Sequence, residues 1–230
     1  MIKQFFDEQS SSFTYLVTSE EKKAFLVDPV LNNNKLYQNF ISKHSLKLSF
    51  ILETHTHADH VTGSGTLNDI YGCKTYCGLS SNSKNVEMVG DGQEIFLDNL
   101  SIKALYTPGH TDDSFSYLLK HSEDYYLFSG DTLLINGCGR TDFQNGDAGQ
   151  LYDSINQKLF SLGENTIVMP GHDYNGLTRT TIVDQKRTNP RLANKSKDEF
   201  IHIMNNLNLP TPKLMDVAVP LNLNLGKNNA

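Results

Sequence analysis

Residues 53–65 read ETHTHADHVTGSG. They follow LSFIL at 48–52, a short branched and aromatic run bounded by polar sequence, as expected of a buried strand. Of the eight histidines in the chain, three (His55, His57 and His60) fall in this one segment. Alternate residues of an extended chain point the same way, so His55 and His57 converge while Asp59 and His60 turn with the following loop. Imidazole and carboxylate donors suit zinc, iron or manganese. With no cysteine in the segment, an open catalytic metal site is favoured over a closed structural zinc.

Outward from this segment, the sequence alternates strands and helices. FTYLV (13–17) and KAFLVD (23–28) read as strands, and NNKLYQNFISKH reads as a helix with Leu36, Phe40 and Ile41 along one stripe. TLNDIYG reads as a short helix ended by Gly72. EIFLD (94–98), SIKALYT (101–107), FSYLLK (115–120) and YYLFSGD (125–131) read as a meander. AGQLYDSINQKLFSL places Leu151, Ile155, Leu159 and Leu162 at helical spacing, with Gly163 as the C-cap. TIVMPGHD is a further strand, and DEFIHIMNNL a later helix. Two groups of strands, each followed by helices, predict two sheets with helices outside them.

Three further polar residues stand just after strands: His110 in TPGHT, Asp131 closing YYLFSGD, and His172 in PGHDY. Read alone, each is a turn residue. Taken with HTHADH, they put His or Asp at the end of four strands, where loops carry functional groups on a rigid scaffold. His44, His121 and His202 lie in polar or helical contexts and read as surface or core residues.

A chain of 230 residues with 38% hydrophobic and 10% aromatic content can bury a core as one domain without disulfide staples. It is too polar to span a membrane. A formal charge of −6, with no run of Lys and Arg, excludes a nucleic-acid partner. Three cysteines (Cys73, Cys77 and Cys138) are too few and odd in number for a disulfide framework, which points to a reducing compartment. The opening MIKQFFDEQSSSF has neither an apolar core nor an Arg-rich pattern, so the expected location is cytoplasmic.

The ligand inventory HxHxDH, His110, Asp131 and His172 resembles that of the metallo-β-lactamase superfamily. The resemblance implies an α/β fold, an αββα sandwich of two mixed β-sheets flanked by helices, with the metal at one edge. Residues 1–230 would be a single such domain with a short C-terminal helical extension. Within the superfamily, the chain is similar to persulfide dioxygenases over nearly its whole length. The likeness is carried by ETHTHADHVTGSG, LLINGCGRTDFQ, PGHDYNG, RTNPRL and NNLNLPTPKLMDVAVP. The resemblance implies oxidation of glutathione persulfide by O2 and water to glutathione and sulfite at one iron(II) per chain, held by His55, His110 and Asp131. Two histidines and one carboxylate are also a facial triad in ligand chemistry. His57, Asp59, His60 and His172 would then orient the ligands and tune the iron.

Spacing leaves open that those same residues hold a second metal. The alternative is therefore a glyoxalase II-like binuclear hydrolase of glutathione thioesters; a non-catalytic metal or persulfide sensor, which would consume no O2, is the remoter rival. Arg140 in GCGRTDF and Tyr174 in GHDY are the candidates for holding glutathione. A guanidinium suits its carboxylates, although Arg140 could instead pair with Asp142. The sequence leaves a homodimer open.

Overall fold

A computed structural model describes residues 1–78, 85–212 and 214–228. Chain contacts divide it into two compact units: Met1–Val89 with Phe96–Leu100 and Thr211–Ala230, and Gly90–Ile95 with Ser101–Pro210.

The first unit holds a six-stranded mixed sheet in the order β1 (Ile2–Asp7), β2 (Ser12–Thr18), β3 (Lys23–Val27), β4 (Lys47–Leu52), β5 (Lys74–Cys77), β6 (Val86–Met88). β1, β2 and β3 pair antiparallel, and β3 to β6 pair parallel. Helix α1 (Asn34–Lys43) connects β3 to β4, and α2 (Ser64–Tyr71) connects β4 to β5, since parallel neighbours need a crossover. Gly72 ends α2 in the left-handed conformation, as its sequence predicts.

The expected stripe on α1 is corrected by one position. Tyr37 and Ile41 are its buried apolar residues, whereas Leu36 is exposed. Tyr37 is chosen because its hydroxyl has work inside: it accepts from the Val30 N–H at 3.2 Å and shares a hydrogen bond with Thr14 at 2.8 Å. Burial pushes its pKa up to about 12.

A second mixed sheet runs in the order β12, β11, β10, β9, β8, β7, built from β7 (Glu94–Leu97), β8 (Leu100–Tyr106), β9 (Phe115–His121), β10 (Asp124–Gly130), β11 (Ile167–Pro170) and β12 (Thr180–Thr181), and all of it but Phe96, Leu97 and Leu100 belongs to the second unit. Its helices are α3 (Ala148–Asp153), α4 (Ile182–Thr188) and α5 (Lys197–Asn205). Leu151, Ile155 and Leu159 pack with Leu127, Val168, Phe200 and Met204 in one core. The long helix expected there changes pitch: α3 passes into a π-helical turn, Ser154–Leu159, which ends at Phe160, so Gly163 is not its cap. Helix α5 starts with a capping box between Ser196 and Glu199. The chain then returns to the first unit and ends in α6 (Met215–Asn222).

In the first unit, Asp28 and residues 53–60 leave the adjacent parallel strands β3 and β4 at the same edge. In the second, β10 and β11 are parallel, and β8 runs in the direction of β10 because both are antiparallel to β9. His110, Asp131 and His172 therefore also emerge at one edge, where ligands collect in open α/β sheets.

Tyr37→Phe should keep the fold but leave the buried Val30 N–H without its acceptor. The expected loss is about 1–3 kcal/mol in urea unfolding, with an unchanged m-value.

Candidate metal centre

In the first unit, the histidine loop starts one residue beyond β4 with Glu53. His55, His57 and His60 are all buried, and their rings lie in series: 4.1 Å between the centroids of His55 and His57, and 4.3 Å between His57 and His60. Asp28, in the left-handed conformation (φ 50°) just beyond β3, is the organiser of this row. It accepts the Thr54 N–H at 2.7 Å and the Thr54 hydroxyl at 2.8 Å. The single Thr54 hydroxyl proton goes to Asp28, so the 2.9 Å contact between Thr54 Oγ1 and His55 Nδ1 has Nδ1–H as donor. Nε2 is then the basic nitrogen of His55.

His57 is turned the other way. Its Nε2 lies 3.3 Å from Asp28 Oδ1 and 3.6 Å from Glu53 Oε2, while Glu53 Oε1 accepts the hydroxyls of Thr62 and Ser64. Burial opposes a charge on His57, yet the two carboxylates hold its pKa well above the ordinary imidazole value. His60 Nδ1 donates to Asp59 at 2.9 Å. Among the described residues, three buried imidazole nitrogens, both of His57 and His60 Nε2, have no hydrogen-bond partner, and His57 Nε2 keeps only its ion-pair contacts with the two carboxylates. His57, Asp59 and His60 also bring one ligand atom each within 4.8 Å of one another.

In the second unit, His110 Nδ1 meets the Arg140 carbonyl at 2.7 Å; a carbonyl only accepts, so Nδ1 carries the proton and Nε2 is basic. That Nε2 stands 3.7 Å from Asp131 Oδ2. The separation is too long for a hydrogen bond and fits two ligands lying ~2.1 Å from one ion. His172 Nδ1 donates to the other oxygen, Asp131 Oδ1, at 2.7 Å. Asp131 is thus oriented by one histidine while it faces another, the relation that holds ligating carboxylates in metal sites.

Tyr174 is highly exposed, and its ring lies parallel to that of His172 at 6.0 Å. Arg140 is engaged locally: its fork takes both oxygens of Asp142 at 2.6 and 2.7 Å, and Nη1 donates to the Pro210 carbonyl at 2.7 Å. The Arg140 hydrogen bonds hold the Asp142 carboxyl below its usual range. The alternative pairing with Asp142 is therefore formed.

Sequence reasoning passed over Asp28, Glu53 and Asn222. Glu53 stood in the quoted segment four residues before His57. Asp28 closes KAFLVD, but only the parallel pairing of β3 with β4 reveals its role. Asn222 lies far from the motif and carries no local signal.

The three cysteines are free and buried. Burial raises the thiols of Cys73 and Cys138 to about 11. Cys138 lies 3.7 Å from both Met204 Sδ and Arg191 Nη1.

A metallo-beta-lactamase superfamily model matches residues 8–81 and 78–172. The chain is 40% identical to the mitochondrial persulfide dioxygenase ETHE1 of Mus musculus over 98% of its own length and 89% of that protein. It belongs to the metallo-β-lactamase superfamily, and within it to the persulfide dioxygenase family. The crystal structure of ETHE1 from Myxococcus xanthus superposes with a TM-score of 0.94 at 48% identity, covering 99% of this chain and 100% of that one. The likeness to the hydroxyacylglutathione hydrolase of Francisella philomiragia is narrower: 34% identity over 74% of this chain and 66% of that protein. The two mixed sheets with their helices are those of the expected fold class. Among the described residues, no helix is long and apolar enough to cross a membrane.

Native protein at pH 8 should react negligibly with a thiol reagent. Denaturation should release three thiols, because only the thiolate reacts and burial disfavours it. Rapid labelling of the folded protein would contradict the burial of the three thiols.

Proposed function

We propose that the protein is a glutathione persulfide dioxygenase that uses one iron(II) held by His55, His110 and Asp131. Family membership supports the reaction class. The observation that supports the donor set is the tautomer order: Thr54 fixes Nδ1–H on His55 and the Arg140 carbonyl fixes it on His110, so both rings offer Nε2. Two neutral imidazoles and one carboxylate suit octahedral iron(II) with open positions.

The reaction consumes glutathione persulfide, O2 and water, and yields glutathione, sulfite and two protons. When bound, the iron supplies the one-electron chemistry that lets O2 react with a closed-shell persulfide. The chain's own residues do the rest. Asp28, through Thr54, keeps the proton on His55 Nδ1, and His172 keeps Asp131 in place through Oδ1. His57 carries the positive charge that Asp28 and Glu53 need inside the protein. Tyr174 offers an exposed ring beside His172 for the peptide. Arg140, its fork on Asp142, offers the glutathione carboxylate one remaining Nη1–H unless Asp142 is displaced. Reduced, buried thiols support a cytoplasmic location.

One observation favours the binuclear thioester hydrolase as the second reading: the His57, Asp59 and His60 donor group, in which His57 Nδ1 and His60 Nε2 have neither a hydrogen bond nor an ion-pair contact. Metal count separates the readings. Protein purified without added metal should hold about one iron per chain and consume O2 with glutathione persulfide. Asp131→Ala should lose both iron and turnover, since it removes the anionic ligand. Two metals, both required for activity, would establish the hydrolase reading instead.

Arg140→Ala should raise KM for glutathione persulfide by roughly 10- to 150-fold, the value of a charge-assisted hydrogen bond, with little change for a non-peptidic persulfide. Asp142→Asn distinguishes the roles. If Arg140 serves the substrate, releasing its fork lowers KM. If the pair only braces the loop, both variants weaken both substrates alike.

A further inference from the structure

Asn222, the last residue of α6, is buried and directs its whole amide at the histidine loop. Nδ2 donates to the main-chain carbonyls of His57 at 2.9 Å and His60 at 2.8 Å, and Oδ1 accepts the Thr62 N–H at 2.9 Å. The residues after it follow the same path. The Leu225 carbonyl accepts the Gly65 N–H at 3.0 Å, and Lys227 reaches Asp69 at 2.8 Å. Gly226 (φ 77°) passes so near that a Cβ there would stand 2.1 Å from the Thr62 carbonyl oxygen. No other residue type fits that approach.

We propose that Asn222 is a positioning residue of the metal centre: one planar amide ties the two carbonyls that flank Ala58 and Asp59, and so sets the curvature of the loop that presents His55. The inference rests on the reading that His55 holds the metal. The chemistry demands an amide. Two carbonyl oxygens converging on one site need two donors, and the buried Thr62 N–H needs an acceptor; among side chains of this size only Asn supplies both. An aspartate of the same shape would keep the acceptor but set a carboxylate oxygen against two carbonyls. The loop would then have to open.

The test compares wild type with Asn222→Asp, Asn222→Ser, His55→Ala and a control, Asn68→Asp. The control makes the same chemical change at a buried amide of the first unit that bonds Thr75 rather than the loop. Each protein is loaded with Fe(II), and iron release to a chelator is timed. Separately, each is loaded with Co(II) and its visible spectrum recorded. Asn222→Asp should release iron about 10- to 100-fold faster than wild type and shift the Co(II) bands, as loss of a ligand-orienting partner does. Asn222→Ser should fall between the two. Asn68→Asp should lose thermal stability yet hold iron and Co(II) as wild type does. Wild-type release and spectra in Asn222→Asp, beside an iron-free His55→Ala, would overturn the positioning role and leave the metal reading standing. Iron retained by His55→Ala would overturn that reading and the proposal with it. If both Asn222 variants unfold where Asn68→Asp is folded, Asn222 is a residue of the fold alone, and the proposal fails.

Discussion

The structure depends on burying ionisable groups together. Glu53, His55, His57 and His60 are each no more than 5% exposed, and Asp28 joins them at 3%. Such a cluster is costly unless every charge is paired and every polar atom bonded. Two carboxylates around one imidazole answer the first demand, and hydroxyls from Thr54, Thr62 and Ser64 answer much of the second. Parallel pairing of β3 and β4 is the geometric condition, because it releases Asp28 and the histidine loop at the same edge. The Asp28 N–H donates to the Leu52 carbonyl at 3.0 Å, which locks the two strand ends side by side.

Main-chain groups of a buried loop need partners as much as side chains do, and in both units these come from segments much later in sequence. Asn222 serves the histidine loop. In the second unit, Asn189 Nδ2 donates to the Gly137 carbonyl at 3.0 Å, and Arg191 Nη1 donates to the Cys138 carbonyl at 2.7 Å. Gln185 accepts the Asn136 N–H at 2.8 Å. RTNPRL thus braces the loop that leads to Arg140, whose own carbonyl orients His110. The polar residues of RTNPRL and AVPLN are chosen for backbone carbonyls, and their distance from the motifs they serve is a consequence of the fold.

That division explains what could be read from the sequence. The strands around the motif were legible because branched and aromatic runs end at polar turns, and the candidate ligands because they all follow strands. Leu36 was misread because periodicity weighs apolar character alone, whereas Tyr37 is drawn inside by two hydrogen bonds. Gly163 was misread because a π-helical turn shifts the phase of Leu151, Ile155 and Leu159 and ends the helix early. Strands β1, β5, β6 and β12 were passed over: β1 alternates weakly, and the others are short. Helix α6 carries Pro220 in its interior, which works against a helical reading of AVPLN. Asp28 and Asn222 act through pairings that local pattern does not encode.

In the proposed centre, the number of metals turns on His57. A histidine that serves as a neutral ligand must give a lone pair to the ion, and a neighbouring carboxylate favours the protonated ring instead. Here two carboxylates face Nε2, and removing the positive charge would leave both buried and uncompensated. A metal at Nδ1 could supply that charge in place of the proton, so proton and second metal compete for one electrostatic role. At Nδ1, His55 and His110 meet neutral oxygens instead, the Thr54 hydroxyl and the Arg140 carbonyl. Asp28 contributes to both sides of this asymmetry: it reaches His55 only through the neutral relay of Thr54 but meets His57 directly, beside Glu53. Asp28 and Glu53 together therefore favour a charged His57, and this supports the proposed reading of one iron rather than two.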